Sequence, residues 1–538
     1  MSWLLVVLPA LPLLGAVGLL AAPRLSDARA TRVGAGLGAL TLLAAVAAAI
    51  RAAPYDRAGP GLSLDLPWIP ALGVRFHLGL DGLSAPLVLL TALLGLLVLA
   101  HLVRVRPVAG RARALAACVL AVVAGAEATF LALDLLVFFV AFETVLIPMW
   151  FVVAVWGDDQ LPARCSARGV PAPHGAQARR DAAYRFVLFT ALGSAVMLLG
   201  LLLVAVRTGT TDLTVLAAGG GAGLSRNGQI VAALLIVGGL AVKVPMWPLH
   251  TWLPPAHTIA PTAGSVLLAG VLLKLGSYGL VRVALPVLPD GMHAIAPWLG
   301  ALGVVGILWG GLACLAEPDL KRLIAFSSVA HMGFVLLGIA SMTPQGVQGA
   351  MFANVAHGLI TGLLFFVVGA LKDRHHSADL HDLGPGLRDR LPRLGWLLAF
   401  GALAGLGLPG LAGFWGELLA IAGAWQGQDA LGPLGRWYAV LAAAGTALAA
   451  AYLLRVLYVV WHGRRRDLDP QSPLQGAAGT GAGNGVPQLT GPLMGDATRH
   501  ELAVTGPLVA LTVALGLLPW TVLNVTGPAV RVLLGGQP

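Results

Sequence analysis

Polar and charged positions along this chain fall in short bursts between long apolar runs. A window of about 19 residues, the length suited to finding membrane helices, picks out fourteen runs. They lie near 3–22, 31–50, 80–102, 111–130, 135–156, 185–206, 229–249, 259–285, 295–315, 322–341, 347–371, 395–423, 437–461 and 502–526. Each is long enough for a helix to cross a hydrocarbon core about 30 Å thick. The pattern predicts an all-α polytopic membrane protein with about 14 transmembrane helices. No Lys or Arg precedes the first run. A cleaved signal peptide wants a basic start, so the run is read as a retained helix.

Two runs are interrupted. Pro245 and Pro248 break the seventh, and Pro409 with its flanking glycines breaks the twelfth. Grouping spans four to eight and nine to thirteen gives two five-helix units, each with its fourth helix broken. Five is odd, so the units enter the membrane from opposite sides. That is the inverted-repeat layout of many secondary transporters. The expected divisions are 1–110 for three N-terminal helices, 111–285 and 295–461 for the repeats, 462–501 for a flexible cytoplasmic loop, and 502–538 for a last helix. Residues 158–183 and 468–497 read as insertions, and neither is assigned a role.

Composition agrees: 58% of residues are hydrophobic and 11% charged, against about 25% charged in soluble domains. The net charge of +10 could suggest a nucleic-acid partner, but its distribution does not. Most Lys and Arg fall on connections that follow odd-numbered spans, including Arg104, Arg106, Arg111 and Arg113. Basic connections stay cytoplasmic, so odd loops are expected inside and both termini outside. The basicity is topology. Cys118, Cys165 and Cys314 form no CxxC pair, which argues against a disulfide framework, an iron–sulfur cluster or haem attachment. No GxGxxG follows a strand-like segment. No cofactor or metal is expected in this chain, and any electron transfer belongs to another.

Five glutamates occur in the whole chain, and Glu127, Glu143 and Glu417 lie in spans. Four lysines occur against thirty arginines, and Lys243 and Lys274 lie in spans. His331 and His357 sit on two further helices, and His250 and His257 on the turn after the first break. Facing lipid, Glu143, Lys243, Lys274 and Glu417 together would cost on the order of 10 kcal/mol. They are therefore expected to face the bundle interior or water. Plain structural roles exist: a fixed Glu143–Lys243 ion pair, or histidines merely hydrogen-bonded in a core. Buried pairs add little stability, because desolvation offsets their attraction. Glu127, close to a helix end, is read as structural. Buried lysine and glutamate both shift towards neutral pH, and histidine titrates there unaided. A row of Glu143, Lys243, Lys274, His331, His357 and Glu417 could therefore load, pass and release protons.

The run VKVPMWPLHTWLPPAHTIAPTAGSVLLAGVLLKLGSYGLVR, residues 242–282, resembles the signature of the antiporter-like subunits of respiratory complex I and of Mrp-type cation/proton antiporters. The resemblance continues in LDLLVFFVAFETVLIPMWF around Glu143, DLKRLIAFSSVAHMGF around His331, NVAHGLITGLLFF around His357 and LPGLAGFWGE before Glu417. It covers most of residues 80–460. An acidic residue at the Glu417 position resembles the subunit M branch, where the sister subunits L and N usually carry lysine. The two insertions depart from the family pattern. The resemblance implies a proton-translocating subunit of an NADH:quinone oxidoreductase in a bacterial inner membrane, beside subunits L and N. Glu143 and Lys243 would be a switchable pair, Lys274 and His331 would pass protons with support from His357, and Glu417 would be the exit-side acid. No flavin, iron–sulfur cluster or quinone would bind here. The alternatives are a Mrp-type Na+/H+ antiporter subunit, which Glu417 argues against, and a membrane scaffold without transport.

Overall fold

The computed structural model describes residues 2–55, 59–105, 107, 110–158, 175–463 and 495–536. Arg106, Cys165 and most of both insertions lie outside them. Among the described residues, thirteen helical runs are long and apolar enough to cross a membrane. The fourteenth span is the second broken helix, whose halves Pro392–Gly405 and Ala412–Gln426 are each too short to count alone. The chain is an all-α, multi-pass membrane protein. Three spans form its centre: Thr262–Val287, Leu320–Ala340 and Pro344–His375 bury 94%, 89% and 94% of their most apolar window, against 28% for the first two spans. Lys274 and His357 on these helices are buried in protein, and the His331 side chain is only 16% exposed.

Both breaks leave backbone groups that must be satisfied inside the bundle. In the first, the helix Arg226–Lys243 stops just before Pro245, and the chain resumes as the helix Leu253–Ile259. The Met246 amide reaches back to Ala241, so the Val242 carbonyl loses its α-helical donor. The indole Nε1 of Trp252 supplies one at 2.9 Å. In the second, Gly407 and Gly410 have φ of 77° and 93°, a region costly for other residues. A Cβ on Gly407 would also stand 3.3 Å from a Glu417 carboxylate oxygen. The break thus brings bare backbone against an acid.

Connections alternate between two faces. On the odd-loop face, Arg113 donates to the Ala22 carbonyl, and Asp158 meets Lys321 and Lys372. On the even-loop face, an antiparallel hairpin, Leu62–Ile69 with Val74–Leu80, lies over the fourth and sixth connections. Its His77 Nδ1 bonds Asp212 at 2.6 Å, and its Arg75 amide donates to Asp134. Asp134 and Asp212 each cap a following helix, as carboxylates at helix N-termini do, and are joined by an antiparallel bridge. On the opposite face Asp319 and Asp379 do the same. The same device thus stands after the fourth and sixth spans and again after the ninth and eleventh.

Three expectations change. The hairpin was not anticipated, because its short Leu62, Leu64, Leu66 alternation merges with the connection before the third span. The last run, 502–526, is two elements: the helix Arg499–Leu517 and, after a turn at Pro519, a separate helix Trp520–Leu533. The third span begins at Ala85, since residues 74–80 are strand.

Candidate functional site

The centre of the bundle holds a polar row built from four helices. Span eight, Thr262–Val287, contains a π turn at Leu268–Leu272. There the Leu273 amide reaches back five residues to Leu268, so the Ala269 carbonyl loses its usual donor. Such bulges gather at functional sites. Lys274, fully buried, fills the vacancy: its Nζ donates to Ala269 O at 2.5 Å. The same Nζ lies 2.6 Å from Nδ1 of His357 on the neighbouring helix Pro344–His375. With Lys274 as an ammonium, Nδ1 must accept, and the His357 proton sits on Nε2. Around the pair, Ser277 donates to Asn354, and Thr361 to the His357 carbonyl.

His357 is followed by His331, their rings edge to face with centroids 5.7 Å apart. His331 Nδ1 lies 3.1 Å from Glu417 Oε1, and the other Glu417 oxygen accepts from Thr446 at 3.2 Å. A cavity of about 30 Å³ opens among His331, His357, Thr361, Gly405 and Glu417. Room for one water begins at roughly 10–15 Å³ measured this way. Lys274, His357, His331 and Glu417 therefore form one connected line, and water can join its widest step.

At the other end, Lys243 and Glu143 do not form the expected ion pair. The Lys243 ammonium lies over the Phe142 ring, 4.4 Å from its centroid, with no hydrogen-bond partner among the described residues. One oxygen of half-buried Glu143 likewise lacks a partner. Phe142 directly precedes Glu143 on the helix Leu135–Thr144, and it is the Phe142 ring that the ammonium faces. Glu127, read as structural, lies near the end of the helix Ala112–Leu131. It is fully buried and neither carboxylate oxygen has a partner among the described residues.

Sequence reasoning missed two groups. Asp158, at the edge of the first insertion, holds Lys372 at 2.5 Å and Lys321 at 3.1 Å. Burial alone would raise its pKa, but the two lysines hold the carboxyl below the ordinary range. On the even-loop face Asp81 pairs with Arg282 through both oxygens at 2.6 Å, and Arg282 Nε donates to Tyr278. No signal in the linear sequence joins Asp158 to Lys372 across more than two hundred residues.

Broken helices flanking a buried Lys–His–His–Glu line define a transporter-like membrane protein. Residues 173–435 match the family described as "NADH:quinone oxidoreductase/Mrp antiporter, TM". The NADH-quinone oxidoreductase subunit M of Rhodobacter capsulatus is 36% identical over 494 residues, 90% of this chain and 86% of that protein. The NADH-ubiquinone oxidoreductase chain 4 of Marchantia polymorpha is 38% identical over 387 residues, 72% of each. The fold matches a chain of respiratory complex I from Thermus thermophilus, with TM-score 0.81, 28% identity and 99% coverage of both. A chain of the Mrp complex from Dietzia sp. DQ12-45-1b shares the fold, with TM-score 0.80, 24% identity, and coverage of 99% of this chain and 97% of that one. The chain belongs to the family of NADH-quinone oxidoreductase subunit M.

Proposed function

We propose that this chain is a proton-translocating membrane subunit of an NADH:quinone oxidoreductase, driven by quinone reduction in other subunits and holding no redox centre itself. The observation that carries the reading is the buried line Lys274–His357–His331–Glu417, with contacts of 2.6 and 3.1 Å at its two ends. Desolvating four titratable groups is costly, and a structural core would be built more cheaply from apolar side chains.

Each residue has a definite part. The Lys274 ammonium gives its proton to His357 Nδ1, which releases another from Nε2. Water in the adjoining cavity takes that proton to His331, whose Nδ1 hands it to Glu417. Thr446 and the bare backbone at Gly407 hold the Glu417 carboxylate in place. Lys243, resting on Phe142 without a carboxylate contact, is one arrangement of a switch. Closer approach of Glu143 would hold the Lys243 proton, and withdrawal would release it. The sister subunits L and N are the expected neighbours. Positive-inside charge puts the odd-loop face in the cytoplasm of a bacterial cell and both termini outside.

Purification in mild detergent tests this reading. The chain should travel with NADH-oxidising subunits, and their absence would turn the case towards a free-standing Na+/H+ antiporter.

A further inference from the structure

The row ends at Lys274 with no route drawn to the odd-loop face, yet that side holds a second polar group. The Asp158 carboxylate is shared by two ammoniums, Lys321 and Lys372. Lys321, itself nearly buried, also donates to the Ala260 carbonyl at 2.5 Å, and the Asp158 amide donates to Ile259 O at 2.6 Å. The cluster thus ties the end of the helix Leu146–Trp156 to the second half of the first broken helix. It also ties it to the helices that carry His331 and His357. At 1.5 Å per residue, Lys321 lies about 15 Å along its helix from His331, and Lys372 about 22 Å from His357.

His257 occupies the ground between. It has no exposed surface, and neither ring nitrogen has a hydrogen-bond partner among the described residues. Its ring stacks on Phe365 at 4.6 Å and 4°. Three residues after His257 the Ala260 carbonyl accepts from Lys321, Ser265 on the span of Lys274 donates to the His257 carbonyl at 3.3 Å, and Phe365 lies between His357 and Lys372 on their shared helix. Asp319 and Asp373 are the other acids whose charge reaches the lysine pair. A buried donor or acceptor left without a partner carries its desolvation cost uncompensated. A leucine or phenylalanine would fill the stack on Phe365 without that cost, so packing alone gives no reason for an imidazole here.

We propose that Asp158, Lys321 and Lys372 form a proton-exchange gate on the odd-loop face, and that His257 carries protons between this gate and Lys274. The proposal rests on reading the central row as a proton path. In one transfer the Lys321 ammonium protonates one His257 nitrogen through water and becomes an amine. The other His257 nitrogen then gives its proton to Lys274, left neutral after its own proton has passed to His357. Lys321 regains a proton from solvent through Lys372, with Asp158 as counter-charge throughout. One proton moves inward, Lys321 and Lys274 are ammoniums again, and His257, left as the other tautomer, is reset by a turn of its ring.

The test uses the intact complex in membrane vesicles and reads NADH-driven proton uptake at matched subunit content. His257→Phe keeps the stack on Phe365, and Asp158→Asn keeps the shape of the cluster. Each should lower uptake about tenfold or more, below the usual contribution of a proton-transfer group. Asp158→Glu should restore part of the activity, which a merely steric role for Asp158 would not require. If His257→Phe fails to assemble, Asp158→Asn and Asp158→Glu decide alone. Normal uptake in Asp158→Asn, or in an assembled His257→Phe, overturns the proposal. Glu417→Gln, run in parallel, separates the two ideas: its failure to impair uptake would sink the central row, whereas its impairment beside a normal Asp158→Asn would sink only the gate.

Discussion

Replacing Glu417 by glutamine separates proton chemistry from structure. The carboxylate takes a contact from His331 at 3.1 Å and one from Thr446 at 3.2 Å, in a wall that also includes Gly407. Glutamine has the same length and volume. Its carbonyl can accept from His331, and its amide can donate to the Thr446 hydroxyl, which rotates to accept. One neutral hydrogen bond contributes about 0.5–1.5 kcal/mol, and both are kept, so stability should change by less than about 1 kcal/mol. An amide cannot hold a proton near neutral pH, and the line then ends at His331. The expected result is normal assembly with proton uptake reduced at least tenfold, about 1.4 kcal/mol or more on the limiting barrier. Aspartate is shorter by one carbon–carbon bond, roughly 1.5 Å, which opens the His331 contact to a distance that water can bridge. Glu417→Asp should therefore keep part of the activity. A pH-sensitive dye in inverted vesicles, started with NADH, gives the rate. Wild-type uptake in Glu417→Gln at full subunit content would refute the reasoning, and the polar line would then end at a different side chain.

Two further outcomes follow from local geometry. Phe142→Leu removes the ring 4.4 Å from the Lys243 ammonium, a contact worth about 0.5–2 kcal/mol. A structure of that variant should show Lys243 drawn to Glu143, and an unmoved ammonium would argue against Phe142 as the separator. Gly423→Ala places a Cβ 2.4 Å from Gly346 Cα, where Ala412–Gln426 crosses Pro344–His375. Overpacking of this kind costs about 1–3 kcal/mol, so the variant should melt at a lower temperature, and an unchanged transition would show that the crossing can yield.

The spans and breaks were legible because hydropathy and proline placement act locally. Lys243, Lys274 and Glu417 stood out because ionisable groups are rare within apolar runs. Partnerships were not legible. Lys274 has no acid near it in sequence, and its contact with His357 depends on a crossing of two helices and on a π turn that no residue pattern announces. Rarity pointed to Glu143 and Lys243 as a switchable pair but not to the contact found, in which the Lys243 ammonium lies over Phe142, and it gave no sign that the Glu127 carboxyl is fully buried. Asp158 was passed over because its neighbours in sequence look like an insertion, while its partners Lys321 and Lys372 come from distant helices. The hairpin was hidden because strands of eight and seven residues carry little weight beside a window of about 19 residues.

Counting protons moved per NADH oxidised in the Lys274→Leu complex tests the central claim most directly. Lys274 starts the connected line, and leucine fills much of its space while removing the donor to both His357 and Ala269. If the line carries protons, vesicles with full subunit content should move fewer protons per NADH than wild type. A wild-type ratio in the assembled variant would contradict it, leaving Lys274, His357, His331 and Glu417 as a polar core without a part in transport.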